Sequence, residues 1–125
     1  MRDEAQIKGL CDVIRETAFA LHVYLRHGHL VKVYENGLVH RLRKAGLLVE
    51  PQKPLQVTDE DGFVLGQYYA DLFVEECLIV ELKACSTLVN EHVAQILGYM
   101  RAANQRDGLL INFGAQRLEV RKFIL

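Results

Sequence analysis

Apolar residues change their spacing midway along this chain, and that change limits the folds open to it. Ile7, Leu10, Cys11, Ile14, Ala18, Leu21 and Leu25 recur at helical steps, which predicts one long amphipathic helix. Asp3 is placed to cap its start and Gly28 to stop it. A second helix carries Val31, Tyr34, Leu38, Leu42 and Ala45 on one side and ends at Gly46. From there the pattern belongs to strands. Val49–Thr58 reads as a strand that Pro51 and Pro54 push toward a sheet edge. Asp59–Gly62 is a turn, and Phe63–Val74 returns as the second arm of a hairpin. Leu78–Ala84 is a third strand and Asn90–Ala103 a helix, followed by strands at Gly108–Phe113 and Arg117–Leu125. Two helices, three strands, a helix and two strands make an α/β chain, a mixed sheet flanked by helices.

Size and charge bound what such a sheet can do. With 125 residues, half of them hydrophobic, the chain supports one real core, and residues 1–125 are read as a single domain. Fifteen basic and 16 acidic side chains leave a net charge of −1, which excludes a histone-like or ribosomal type. The total hides unlike regions. Asp59, Glu60, Asp61, Glu75 and Glu76 gather the acid at two turns, while Arg26, His27, Lys32, His40, Arg41, Arg43 and Lys44 make the second helix basic. Arg117, Arg121 and Lys122 add base at the end. Each is read singly as a solvated surface residue, and together they are dense enough to meet a phosphate backbone.

No apolar run reaches the length of a membrane span, and no signal-type segment opens the chain. Cys77 and Cys85 sit on one predicted strand, roughly 26 Å apart, so they cannot pair. With Cys11 on the apolar face of the first helix, the three cysteines read as reduced thiols of a cytoplasmic protein. Leu118, Val120, Phe123 and Ile124 crowd the C-terminal edge, which leaves a homo-oligomer open.

Chemistry enters at Asp71, Glu81 and Lys83. Glu81 and Lys83 are two apart on a strand and share a face, where burial costs several kcal/mol unless each is paired or bound. If the hairpin is antiparallel, Asp71 faces Glu81, and two adjacent carboxylates repel unless a cation lies between them. Oxygen ligands with open positions suit Mg²⁺ or Mn²⁺. A lysine beside them orients water or stabilises charge on a phosphate. On the following helix Gln95 and Tyr99 stack on one face with His92 a turn earlier. The bland alternative is a salt-bridged Glu/Lys pair and ordinary surface residues.

In order, Asp71, then Glu81-Leu82-Lys83, then Gln95 with Tyr99 resembles the PD-(D/E)XK nuclease pattern with a QxxxY helix. More widely, Gly28 to Tyr34, Arg43-Lys44-Ala45-Gly46-Leu47 and Ala70-Asp71-Leu72-Phe73-Val74 resemble the small GxxExxY proteins of that superfamily. Ile79 to Ala84, Gln95 to Tyr99, Leu109 to Gly114 and Arg117 to Val120 extend the resemblance to nearly the full length.

The resemblance implies a restriction-endonuclease-like core and a metal-dependent endo- or exonuclease acting on nucleic acid, DNA first. It implies that Asp71, Glu81 and the Leu82 carbonyl hold Mg²⁺ or Mn²⁺, that Lys83 positions the attacking water, and that Gln95 and Tyr99 orient the site or, with His92, contact substrate. Two departures stand out. Ala70 replaces the proline before the metal-binding aspartate, and Gly-x-x-Glu-x-x-Tyr reads Gly28-His29-Leu30-Val31-Lys32-Val33-Tyr34. Valine binds no cation, and Glu35 offers the nearest carboxylate one turn on, about 6 Å away. The alternative function is therefore a nuclease-fold module that binds nucleic acid or a protein partner without turnover.

Overall fold

The computed structural model describes residues 2–125. Asp3 caps α1 (Glu4–Leu25) through a reciprocal box: the Gln6 N–H donates to its carboxylate at 2.8 Å, and its own N–H donates to Gln6 Oε1 at 2.9 Å. α1 stops short of Gly28. Arg26 turns the chain at φ 62° and sends its N–H back to the His22 carbonyl, while Gly28, at φ 112°, serves the loop beyond. α2 (Val31–Lys44) ends as expected before Gly46, whose φ of 88° suits glycine.

Five strands follow in one sheet whose spatial order equals their order in the chain: β1 (Val49–Thr58), β2 (Val64–Val74), β3 (Leu78–Lys83), β4 (Asp107–Asn112) and β5 (Glu119–Ile124). β1, β2 and β3 form an antiparallel meander, and β4 and β5 pair antiparallel. β3 and β4 run parallel, so a crossover is required, and α3 (Asn90–Ala102) supplies it. This is the mixed sheet flanked by helices, in α-α-βββ-α-ββ order. β1 lies at an edge, where Pro51 and Pro54 forfeit no central ladder bond. Cys77 and Cys85 fall just beyond the two ends of β3 and not within it; both are free thiols, as is the buried Cys11.

Both faces of β3 are covered, which is why it reads as a continuous apolar run. Leu78, Val80 and Leu82 join Ile14, Leu38 and Leu42 in the core beneath α1 and α2. Ile79 packs with Ile96, Met100 and Leu110 beneath α3. Alternation along the strand then sends Glu81 and Lys83 to the α3 face.

Tyr34 locks the two N-terminal helices to the sheet. Its ring is fully buried and stacks on Phe113 at 4.7 Å between centroids. Its hydroxyl donates to the Arg26 carbonyl and accepts the His29 N–H at 3.3 Å, which fixes the turn between α1 and α2. Beyond β4, the buried Asn112 amide holds the chain after β3. Its Oδ1 accepts the Cys85 and Gly114 N–H groups, and its Nδ2 donates to the Cys85 carbonyl and to Glu119. A Cβ on Gly114 would stand 2.2 Å from the Cys85 nitrogen, so only glycine fits there.

Two substitutions separate the roles of the Tyr34 ring and hydroxyl. Tyr34→Phe keeps the stack and leaves the Arg26 carbonyl unpaired, with an expected loss of about 1–2 kcal/mol in urea unfolding. Tyr34→Ala also opens a cavity beside Phe113 and is expected to lose about 3–5 kcal/mol. Equal losses would show that the hydroxyl carries the contribution.

Candidate active site

The β2–β3 ladder runs from Val74–Leu78 to Leu72–Val80. Continued by one residue, it would bring Asp71 opposite Glu81. There the carboxylates take over the hydrogen bonding. The Asp71 N–H donates to Glu81 Oε1 at 2.8 Å, and the Leu82 N–H donates to Asp71 Oδ2 at 2.8 Å. Each side chain thus caps the other strand where the two strands part. The antiparallel facing expected from the sequence is present, as an interlock through the backbone.

Around this point opens a cleft of about 420 Å³, lined by His29, Leu30 and Val31 from the start of α2 and the turn before it, and by Tyr69, Asp71, Glu81 and Lys83 from β2 and β3. Gln95 and Tyr99 close it from α3. Lys83 Nζ donates to Gln95 Oε1 at 2.6 Å, and Gln95 Nε2 donates to the Tyr99 hydroxyl at 3.2 Å. Tyr99 in turn lies 5.2 Å from Tyr68, ring to ring. The α3 stripe therefore orients the lysine. His92 does not line this cleft: its Nδ1 accepts the Val89 N–H at 3.1 Å at the start of α3. Glu35 does not enter the cleft either. Its buried carboxylate is held by Lys32 at 2.6 Å and Gln52 at 2.8 Å, at the floor of a neighbouring groove.

Glu81 is 3% exposed, and burial, reinforced by the charge of Asp71, pushes its pKa up to about 9. Burial also raises Asp71, with the charge of Glu35 adding to the effect and the Leu82 N–H opposing it. Burial and the repulsion between the two carboxylates both favour a proton on the pair. The donors fit a hard divalent ion. Each carboxylate has one oxygen engaged by a backbone N–H and one left over. The Leu82 carbonyl leaves the strand on the side of its N–H, toward Asp71, since the Lys83 carbonyl points the other way to Phe113. Among the described residues no three His, Cys, Asp or Glu side chains converge on one point, and Val31 lines the cleft where a third donor would help. Two carboxylates with phosphate and water completing the shell is a mode that Mg²⁺ commonly uses.

A family model for the PD-(D/E)XK nuclease superfamily matches residues 8–123. The chain belongs to that superfamily. No curated protein matches the sequence. Among solved structures, the crystal structure of SSO0001 is similar, with a TM-score of 0.60 at 16% identity over 74% of this chain. The match spans 48% of that protein's length. At that identity the likeness bears on the fold alone, and it agrees with a restriction-endonuclease-like core. Members of the superfamily generally use divalent metals and act on nucleic acid. No helix among the described residues is long and apolar enough to cross a membrane.

Tyr69 has no role in the sequence reading, and Asn112 and Gly114 enter it only within the resembling stretch Leu109 to Gly114. Asn112 leaves a signal, a lone amide closing the apolar run Leu109-Leu110-Ile111, whereas Tyr69 resembles any strand tyrosine until the cleft forms beside it.

Glu81 implies a pH dependence. Its pKa rises from 4.5 unfolded to about 9 folded, so the folded state binds the extra proton between those values. The stabilisation is complete below about pH 4.5 and is lost as pH rises through about 9. Metal-free protein in chelator is expected to become easier to unfold by urea from pH 6 to 9, and Glu81→Gln to flatten that slope. An equal slope in the variant would remove Glu81 as its source.

Proposed function

We propose that this chain is a divalent-metal-dependent nuclease of the GxxExxY kind, acting as one domain on phosphodiester bonds, with DNA as the first substrate. The observation that carries the reading is the Asp71–Glu81 interlock, with Lys83 on the same face and held by Gln95. Asp71, Glu81 and the Leu82 carbonyl would hold Mg²⁺ or Mn²⁺, which supplies Lewis-acid stabilisation to a phosphate. The Lys83 ammonium, steered by Gln95 and Tyr99, orients the attacking water or offsets the negative charge that grows on the phosphate oxygens. Gln95 and Tyr99 are positioning residues in this scheme, because they act through Lys83. The cleft is open at its mouth, so a phosphate can reach the floor from solvent.

The expected result is cleavage of plasmid or single-stranded DNA in Mn²⁺ or Mg²⁺ that chelator abolishes. Lys83→Ala and Asp71→Ala should each lower the rate by about 100-fold or more. Activity that survives both substitutions would sink the assignment of these residues.

One observation favours a second reading, a module that keeps the fold and binds without turnover: Val31 lines the cleft with no donor atom. Calorimetry with Mn²⁺ separates the two. Binding that disappears in Glu81→Ala supports the enzyme; no binding, together with cleavage gained in Val31→Glu, supports a site that lost turnover at Val31.

A further inference from the structure

The mouth of the cleft carries aromatic and apolar side chains that the interlock, the core and Lys83 do not use. Tyr69 is 52% exposed and Leu30 80% exposed, and they line the cleft from β2 and from the turn before α2, with Val31 next to Leu30 in the chain. Lys83 is the only lysine or arginine lining the cleft among the described residues. A duplex would meet this mouth with its charged sugar–phosphate surface and keep its base faces stacked inside. A single strand has free base faces, and those stack on aromatic and apolar groups.

Basic side chains lie next door and to one side. A groove of about 700 Å³ between α2 and β1 is lined by Lys32, His40, Arg43 and Lys44. Groove and cleft are neighbours along α2, where Val31 lines the cleft and the next residue, Lys32, lines the groove. Gln52, on the groove floor, falls between the register pairs Pro51–Leu72 and Lys53–Ala70 and so lies across from Asp71. A backbone lying in the groove therefore continues toward the carboxylate pair, with its next base at Tyr69 and Leu30.

We propose that the site takes single-stranded nucleic acid, with phosphates in the α2–β1 groove and the base beside the reacting phosphate stacked between Tyr69 and Leu30. The proposal rests on the nuclease reading for the location of the reacting phosphate. Tyr69 is then a specificity-determining residue, and the β1–β2 hairpin that carries it is part of the substrate-binding surface.

The test measures fluorescence anisotropy of labelled single-stranded deoxy- and ribo-oligonucleotides and of the matching DNA duplex, in Ca²⁺ with Lys83→Ala protein. Cleavage of the same three is followed with the unaltered protein in Mn²⁺. Single strands are expected to bind about tenfold or more tighter than duplex. In that background Tyr69→Ala should weaken single-strand binding by roughly 5- to 150-fold, as loss of one stacked base implies, and Tyr69→Phe should preserve it. Leu30→Ala should weaken it too, which guards against a local disturbance at Tyr69. The deoxy and ribo arms show which sugar the site prefers. Duplex bound or cleaved as well as single strand, or Tyr69→Ala without effect, overturns the proposal and leaves the nuclease reading intact. Single-strand binding that depends on Tyr69, with no cleavage in any metal, upholds the proposal and overturns the nuclease reading.

Discussion

At the point where β2 and β3 part, two strands lose their ladder, and two carboxylates replace it. Asp71 accepts from the backbone of β3 and Glu81 from the backbone of β2, so neither acid can move without freeing a buried N–H. Burying such a pair is unfavourable in itself, because desolvation and mutual repulsion both act against charge. The sheet tolerates it because β3 is anchored on both faces by apolar packing through Ile79, Val80 and Leu82. The same packing fixes where Lys83 emerges, and α3 receives it at Gln95. A site built from the ends of buried strands is held more firmly than one built on loops alone, and here the floor of the cleft is strand throughout.

The opposite wall depends on a different device. The turn between α1 and α2 includes Arg26 at positive φ, a conformation that side chains other than glycine's seldom adopt. It persists because the Tyr34 hydroxyl takes the Arg26 carbonyl while the ring is clamped against Phe113. Phe113 directly follows β4, and its neighbours Asn112 and Gly114 bind the chain at Cys85. Tyr34 therefore ties the His29–Val31 rim to the end of the sheet. In the resembled motif the tyrosine has a structural part in this protein, and the glutamate position is the one that faces the cleft.

Much of this is legible in the sequence. Apolar patterning located every helix and strand, since each packs apolar side chains against one or both of the two cores, and the two prolines marked an edge strand. Asp71, Glu81 and Lys83 were visible because charge on an apolar strand needs a reason. Other features depend on geometry that spacing alone does not encode. His92 shares a helical stripe with Gln95 and Tyr99, yet its ring folds back on the Val89 N–H. Glu35 shares a stripe with Val31, yet Lys32 and Gln52 draw it into the adjacent groove. Gly28 looked like the helix stop, and the chain turned earlier because Tyr34 could hold Arg26. In each case a local hydrogen bond, settled by a partner elsewhere, overrode the periodic expectation.

Charge arithmetic takes on a different meaning once the residues are in place. The near-neutral total coexists with a groove between α2 and β1 where Lys32, His40, Arg43 and Lys44 all line the α2 wall, while Arg26, His27 and Arg117 gather at a separate hollow near α1. The cleft itself has few ligands to offer. A donor set of two carboxylates and a carbonyl leaves much of an octahedral shell to water and phosphate, so on the proposed reading ion and substrate complete one another's binding. Val31 strengthens that coupling, because it withholds a further protein donor and presents an apolar surface instead. Metal occupancy in such a site would follow substrate, and the protein's selectivity would lie less in holding the ion than in which strand can reach it.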